Sequence, residues 1–117
     1  MPTSEALTSR ALDILETLVA FDTTSRLSNL ALIEWVEAYL DDHGVAHRRV
    51  PNQDGTKSNL LATIGPNVEG GVVLSGHTDV VPVDGQAWST DPFKLTPKDD
   101  GRIYGRGLSR GNGRRTA

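Results

Sequence analysis

Leu74-Ser75-Gly76-His77-Thr78-Asp79-Val80-Val81-Pro82 follows an apolar run and sets an imidazole and a carboxylate two residues apart. The preceding Gly71-Val72-Val73-Leu74 reads as a short, fully buried strand, a continuous apolar run behind a glycine pair. In open α/β sheets functional groups collect in the crevice beyond the carboxyl ends of such strands, and His77 and Asp79 occupy that place. If the backbone stays extended through Thr78, the period of two puts both side chains on the same side. Neutral imidazole is a good zinc ligand, and a nearby carboxylate can fix its tautomer or lie close to the metal. His-x-Asp is also a common tripeptide, so a structural histidine beside a turn aspartate is the competing reading.

Outward from this stretch the pattern predicts two helices and then strands. Leu7, Ala11, Leu12, Leu15, Leu18 and Val19 recur at helical spacing as a core-facing stripe, with Thr3 or Ser4 available as N-cap. A second helix is expected from Ser28, with Leu32, Ile33, Val36 and Leu40 on one face, ending at Gly44 as a left-handed C-cap. Glu34, Glu37, Asp41 and Asp42 make its other face acidic, the pattern of a solvated surface. The hydroxyls of the intervening Phe21-Asp22-Thr23-Thr24-Ser25 loop are explained by capping and turn formation. Val45 to Val50 reads as an edge strand, Asn52 to Lys57 as a loop, and Asn59 to Ile64 as the next strand, broken by Gly65-Pro66. Beyond an Asp84-Gly85 turn, Phe93-Lys94-Leu95 and Arg102-Ile103-Tyr104 form a candidate hairpin around Lys98 to Gly101. Trp88 and Phe93 suit either a substrate mouth or core packing. The fold class is therefore α/β: two helices followed by a mixed sheet.

Composition sets bounds. A chain of 117 residues is enough for one domain with one core. It has no cysteine, which excludes a disulfide framework and a cysteine-based zinc site and fits a reducing compartment. Met1-Pro2-Thr3-Ser4-Glu5 lacks the basic start of a secretion signal, and no apolar run approaches membrane-spanning length. A cytoplasmic protein with no membrane partner is the expectation. Charge is uneven: residues 101–117 hold five arginines and no acid, leaving seven basic and fifteen acidic residues before them.

Three motifs in order carry a resemblance: Ser75 to Pro82, then Trp88 with Asp91-Pro92-Phe93, then Gly101-Arg102-Ile103-Tyr104-Gly105-Arg106-Gly107. Their order and spacing resemble the N-terminal catalytic segment of the di-zinc amidohydrolase family, which holds acetylornithine deacetylases, succinyl-diaminopimelate desuccinylases, aminoacylases and related carboxypeptidases. Ala20 to Ser25 and Ser28 to Val36 look most like the acetylornithine deacetylase branch. The resemblance implies the opening part of a zinc-peptidase-like catalytic domain, 1–107, and a site using two zinc ions, with cobalt as a substitute. It matches His77 to a zinc ligand and Asp79 to the catalytic carboxylate that supports this histidine. It also implies an N-acyl amino acid substrate, hydrolysis of N-acetylornithine to ornithine and acetate in arginine biosynthesis, and a homodimeric full-length enzyme. The desuccinylase, aminoacylase and carboxypeptidase activities are the alternatives within the family.

The sequence departs from that pattern at Arg110. The family continues from Gly-Arg-Gly, after two variable residues, into Asp-x-Lys-Gly, whose aspartate bridges both metals. A guanidinium is always cationic and has no lone pair to offer a metal. The family's paired glutamates and remaining ligands are not among these residues, so the 117 residues by themselves are expected to be inactive. Residues 108–117 read as a divergent, disordered basic tail, rich in glycine and too poor in apolar residues to offset the entropy of ordering. An interrupted coding sequence explains the abrupt change better than a native basic tail does.

The remaining motifs are weaker. His43 and His47 have the spacing of a helical metal pair, but Gly44 ends the helix between them. Gly105-x-Gly107 lacks the spacing and the Lys-Ser/Thr ending of a phosphate loop, and Ser75 lacks a nucleophile-elbow pattern. A small non-enzymatic binding protein with a Gly/Arg tail for an acidic partner or nucleic acid is the reading from another class. The body is acidic and the tail carries no aromatic to stack on bases, which weighs against nucleic acid.

Overall fold

The computed structural model describes residues 1–108. The expected disordered tail, apart from Leu108, and Arg110 lie outside the described residues. Helix α1 (Ser4–Ala20) starts as its sequence dictates, with the Thr3 side chain accepting from the Ala6 amide at 3.1 Å. Its apolar stripe is only half used. Val19 is buried and Leu15 and Leu18 are partly covered, whereas Leu7 and Leu12 stay 52% and 41% exposed, because α1 packs by its C-terminal half.

Helix α2 (Leu30–Asp42) begins two residues later than Ser28, whose hydroxyl instead accepts from the Leu30 amide at 3.1 Å. The helix closes at Gly44, whose φ of +65° lets its amide donate to Asp41 at 3.0 Å and that of Val45 donate to Leu40 at 2.9 Å. Leu32 and Ile33 are buried, Ile33 at 2% exposure. Strand β1 (His47–Pro51) turns back through the Asn52 to Lys57 loop into β2 (Ser58–Ala62), antiparallel, with His47 opposite Ala62 and Pro51 opposite Ser58. Arg49 on β1 holds Glu37 on α2 by a two-pronged pair at 2.7 and 2.8 Å. The Arg49 guanidinium keeps the Glu37 carboxyl below its ordinary range.

A second antiparallel pair, β3 (Thr96–Pro97) with β4 (Ile103–Tyr104), closes around the expected Lys98 to Gly101 turn. Its first strand begins beyond Phe93-Lys94-Leu95. Asp91 accounts for the shift by drawing the Phe93 amide to its side chain at 3.0 Å and the Lys94 amide to its carbonyl at 3.2 Å, a turn that prevents extension. The α/β class thus holds, with the sheet divided into two antiparallel pairs. Among the described residues the parallel element is a single bridge, Thr24 with Val80. Among the described residues no helix is long and apolar enough to cross a membrane.

The expected buried strand Gly71 to Leu74 is not formed. Val72, Val73 and Leu74 are 87%, 86% and 93% exposed and pair with no strand among the described residues. A central strand requires partners for its backbone groups and cover for both faces, and hydrophobic sequence supplies neither by itself. Such apolar, unpaired segments promote association. Sedimentation of the purified chain should therefore show concentration-dependent association that Val73→Lys reduces. A monodisperse monomer across concentrations would contradict this.

Candidate functional site

Residues 78–80 are held in place from a distance. The α1–α2 loop runs parallel beside them: the Val80 amide donates to the Thr23 carbonyl at 3.0 Å, and the Ser25 amide donates to the Val80 carbonyl at 2.9 Å. Thr23 adds its hydroxyl to the Thr78 carbonyl at 2.5 Å. Asn29 then links three segments. Its amide nitrogen donates to the Ser58 carbonyl at 2.9 Å and the Thr78 hydroxyl at 3.2 Å, while its oxygen accepts from the Ser58 amide at 3.0 Å. Lys57 donates to the Ser25 carbonyl. Thr23, Thr24 and Ser58 are buried, and each hydroxyl has a partner, as burial of polar groups requires.

On this support sit the two residues singled out from the sequence. His77 Nδ1 lies 2.9 Å from the Asp79 carbonyl oxygen and 3.0 Å from Asp79 Oδ1. A carbonyl and an ionised carboxylate only accept, so Nδ1 carries a proton, and in the neutral ring the lone pair is then on Nε2. The His77 side chain is 85% exposed, which leaves that lone pair open to a ligand. Asp79 Oδ2 accepts from the Ser25 hydroxyl at 3.0 Å; the same hydroxyl lies 3.1 Å from the Val80 carbonyl, so its one proton is shared. The Ser25 hydroxyl first, and the His77 contact next, hold the Asp79 carboxyl below its ordinary range.

Turn chemistry in the Phe21 to Ser25 loop is also present: Asp22 Oδ1 accepts from the Thr24 amide at 3.1 Å and its hydroxyl at 2.6 Å. Ser25, Thr23 and Asn29 were not singled out as site residues from the sequence. Their hydroxyls and amide have ordinary local uses, and their partners lie far along the chain.

The Gly105-Arg106-Gly107 motif packs beneath the same segment. Gly107 has a φ of +87°, and a Cβ there would lie 3.1 Å from Val80 Cγ1; one at Gly105 would lie 3.0 Å from Val19 Cγ1. Between them Arg106 is buried, its guanidinium 4.9 Å from the centre of the Trp88 ring and donating to Gln86. Trp88 donates to the same Gln86 oxygen at 3.0 Å, so its ring is taken up by packing on Arg106. His43 and His47 do not form a metal pair. His43 Nδ1 contacts the Tyr39 carbonyl at 2.8 Å, and His47 Nε2 contacts Asp41 Oδ1 at 2.8 Å. Among the described residues no group of three or more His, Cys, Asp or Glu is gathered for a metal.

Residues 73–113, which contain His77, Asp79 and the Gly-Arg-Gly motif, match Peptidase family M20/M25/M40. Through that segment, about a third of its length, the chain is similar to this family. Within it the similarity is to acetylornithine deacetylases. The chain is 44% identical over 94 residues to that of Pasteurella multocida (strain Pm70), an alignment covering 80% of this chain and 24% of the relative. It is 44% identical over 92 residues to that of Proteus mirabilis (strain HI4320), covering 77% and 23%. With that of Pectobacterium carotovorum subsp. carotovorum (strain PC1) it shares 40% over 102 residues, covering 86% and 26%. The chain thus spans about a quarter of the length of these relatives.

Proposed function

We propose that this chain supplies the first metal ligand and its supporting carboxylate to a zinc-dependent amidohydrolase that removes the acetyl group from N-acetylornithine, releasing ornithine and acetate. The observation that carries this reading is the His77–Asp79 pair: two acceptors 2.9 and 3.0 Å from Nδ1, which favour the proton on that nitrogen, on a side chain that is exposed. That is the arrangement of a metal-binding imidazole backed by a carboxylate. The donor set fits as one ligand with its support, not as a complete site, since zinc takes three or four protein ligands. Zinc, when bound, supplies Lewis acidity that polarises an amide carbonyl and eases deprotonation of a water.

The contribution of these residues to such a reaction is orientation. His77 presents Nε2, Asp79 keeps the Nδ1 proton in place and sets negative charge behind the ring, and the Thr24–Val80 bridge holds the backbone next to Asp79. A general base and further ligands have to come from other sequence, so the 117 residues alone should not turn over substrate. N-succinyl and other N-acyl amino acids are the alternative substrates, and arginine biosynthesis in the cytoplasm is the setting that goes with the acetyl substrate.

A chimera tests the reading. Residues 1–108 would replace their aligned counterpart in the Pasteurella multocida acetylornithine deacetylase, and hydrolysis of N-acetylornithine would be followed with and without added zinc. The expected results are zinc-dependent turnover in the chimera, about 10³-fold or greater loss with His77→Ala, and none with the 117-residue chain. The loss follows from removing a metal ligand whose Lewis-acid site supplies several kcal/mol to the transition state. A folded chimera whose activity is unchanged by His77→Ala would sink the assignment.

A further inference from the structure

We propose that Ser25 is a positioning residue for this site: its hydroxyl locks the Asp79 side chain in the orientation that reaches His77, from a loop that otherwise belongs to the helical layer. The inference rests on the reading of His77 as a ligand and assigns a residue that acts on it through Asp79. The argument begins with the backbone. The Thr24–Val80 bridge is closed by main-chain groups, Val80 donating to Thr23 and Ser25 donating to Val80, so the fold of this junction does not depend on the Ser25 hydroxyl. What the hydroxyl adds is a contact 3.0 Å from Asp79 Oδ2 and a second, 3.1 Å from the Val80 carbonyl that the Ser25 amide already engages at 2.9 Å, so that the Asp79 contact is the one no main-chain group duplicates.

Asp79 has a particular need of that contact. Its side chain is 58% exposed, and a half-exposed carboxylate with one partner samples several rotamers. Here the two oxygens are divided, Oδ1 toward His77 Nδ1 and Oδ2 toward Ser25, so that one carboxylate is held at both ends. The imidazole also reaches the Asp79 carbonyl, which can hold the ring without the carboxylate. Only the carboxylate, however, brings negative charge to the ring, and it does so only while it points there. The Ser25 hydroxyl therefore controls how continuously the charge is present, while the Asp79 carbonyl controls the ring plane. A threonine at position 25 retains the hydroxyl and should retain the function.

The test is made on the 117-residue chain without metal or substrate. Side-chain couplings of Asp79 measured by NMR report its χ1, the amide signals of Thr24 and Val80 report the bridge, and the ring nitrogen shifts of His77 report the Nδ1–H tautomer. In the native chain and in Ser25→Thr a single Asp79 rotamer is expected. In Ser25→Ala the couplings should move to averaged values, and the Nδ1–H share should fall while the Thr24 and Val80 signals stay. An Asp79 rotamer unchanged in Ser25→Ala would overturn the proposal. So would loss of the Thr24 and Val80 signals, which would make the hydroxyl a part of the fold instead. Because no metal or turnover enters the measurement, this failure leaves the hydrolase reading standing. A failed chimera, conversely, leaves the Ser25–Asp79 result intact.

Discussion

Asn29→Ala is expected to lower the unfolding free energy by about 2–4 kcal/mol, a large share of the roughly 5–15 kcal/mol that holds a domain folded. Ser58 is 3% exposed, and its amide and carbonyl both turn toward Asn29 and away from β1. The carboxamide of Asn29 pairs with them as a neighbouring strand would, one group donating and the other accepting. Alanine leaves both backbone groups buried without that partner, at about 1–3 kcal/mol each, and frees the Thr78 hydroxyl as well. The expected result in thermal unfolding is a midpoint lower by roughly 10 °C or more. Asn29→Asp retains the acceptor for the Ser58 amide and loses both donations, so it should fall between the two. A change below about 0.5 kcal/mol in Asn29→Ala, the size of an ordinary surface substitution, would show that water replaces the carboxamide without cost.

The features legible in the sequence are those whose cause is local. Thr3 caps α1 through an amide three residues away, and Gly44 stops α2 because a left-handed residue is needed there. The β1–β2 pair follows from a charged edge stretch and a more apolar one on either side of a turn-forming loop. The His77–Asp79 contact follows from a spacing of two, and it survives even though the strand expected to carry it does not form. Val72 to Leu74 has the hydrophobicity of a buried strand, but burial is a relation between segments, and no neighbour covers this one among the described residues. The same limit hid the supports of the site. Ser25, Thr23 and Asn29 meet partners on segments distant in sequence, and serine, threonine and asparagine are so common in caps and turns that nothing local marks these three for long-range work.

Gly107→Ala is expected to cost about 2–3 kcal/mol, and the loss should be read at Val80 as well as in overall stability. Two terms act together. A non-glycine residue at a φ of +87° meets a steric penalty of about 1–2 kcal/mol. The new Cβ would also lie 3.1 Å from Val80 Cγ1, close enough to press on the residue whose amide and carbonyl make the Thr24–Val80 bridge. Val80 follows Asp79 directly, so a shift there tilts the backbone that presents the carboxylate to His77. Gly105→Ala separates the two terms. Gly105 does not have a positive φ, and its Cβ would lie 3.0 Å from Val19 Cγ1 and 3.4 Å from Leu108 Cδ1, so its cost is one of packing against α1. Both variants should lower the midpoint of urea unfolding. Only Gly107→Ala should move the Ser25 and Val80 amide signals, and the reverse pattern would mean that the second glycine of the motif serves the chain's turn and not the support of the site.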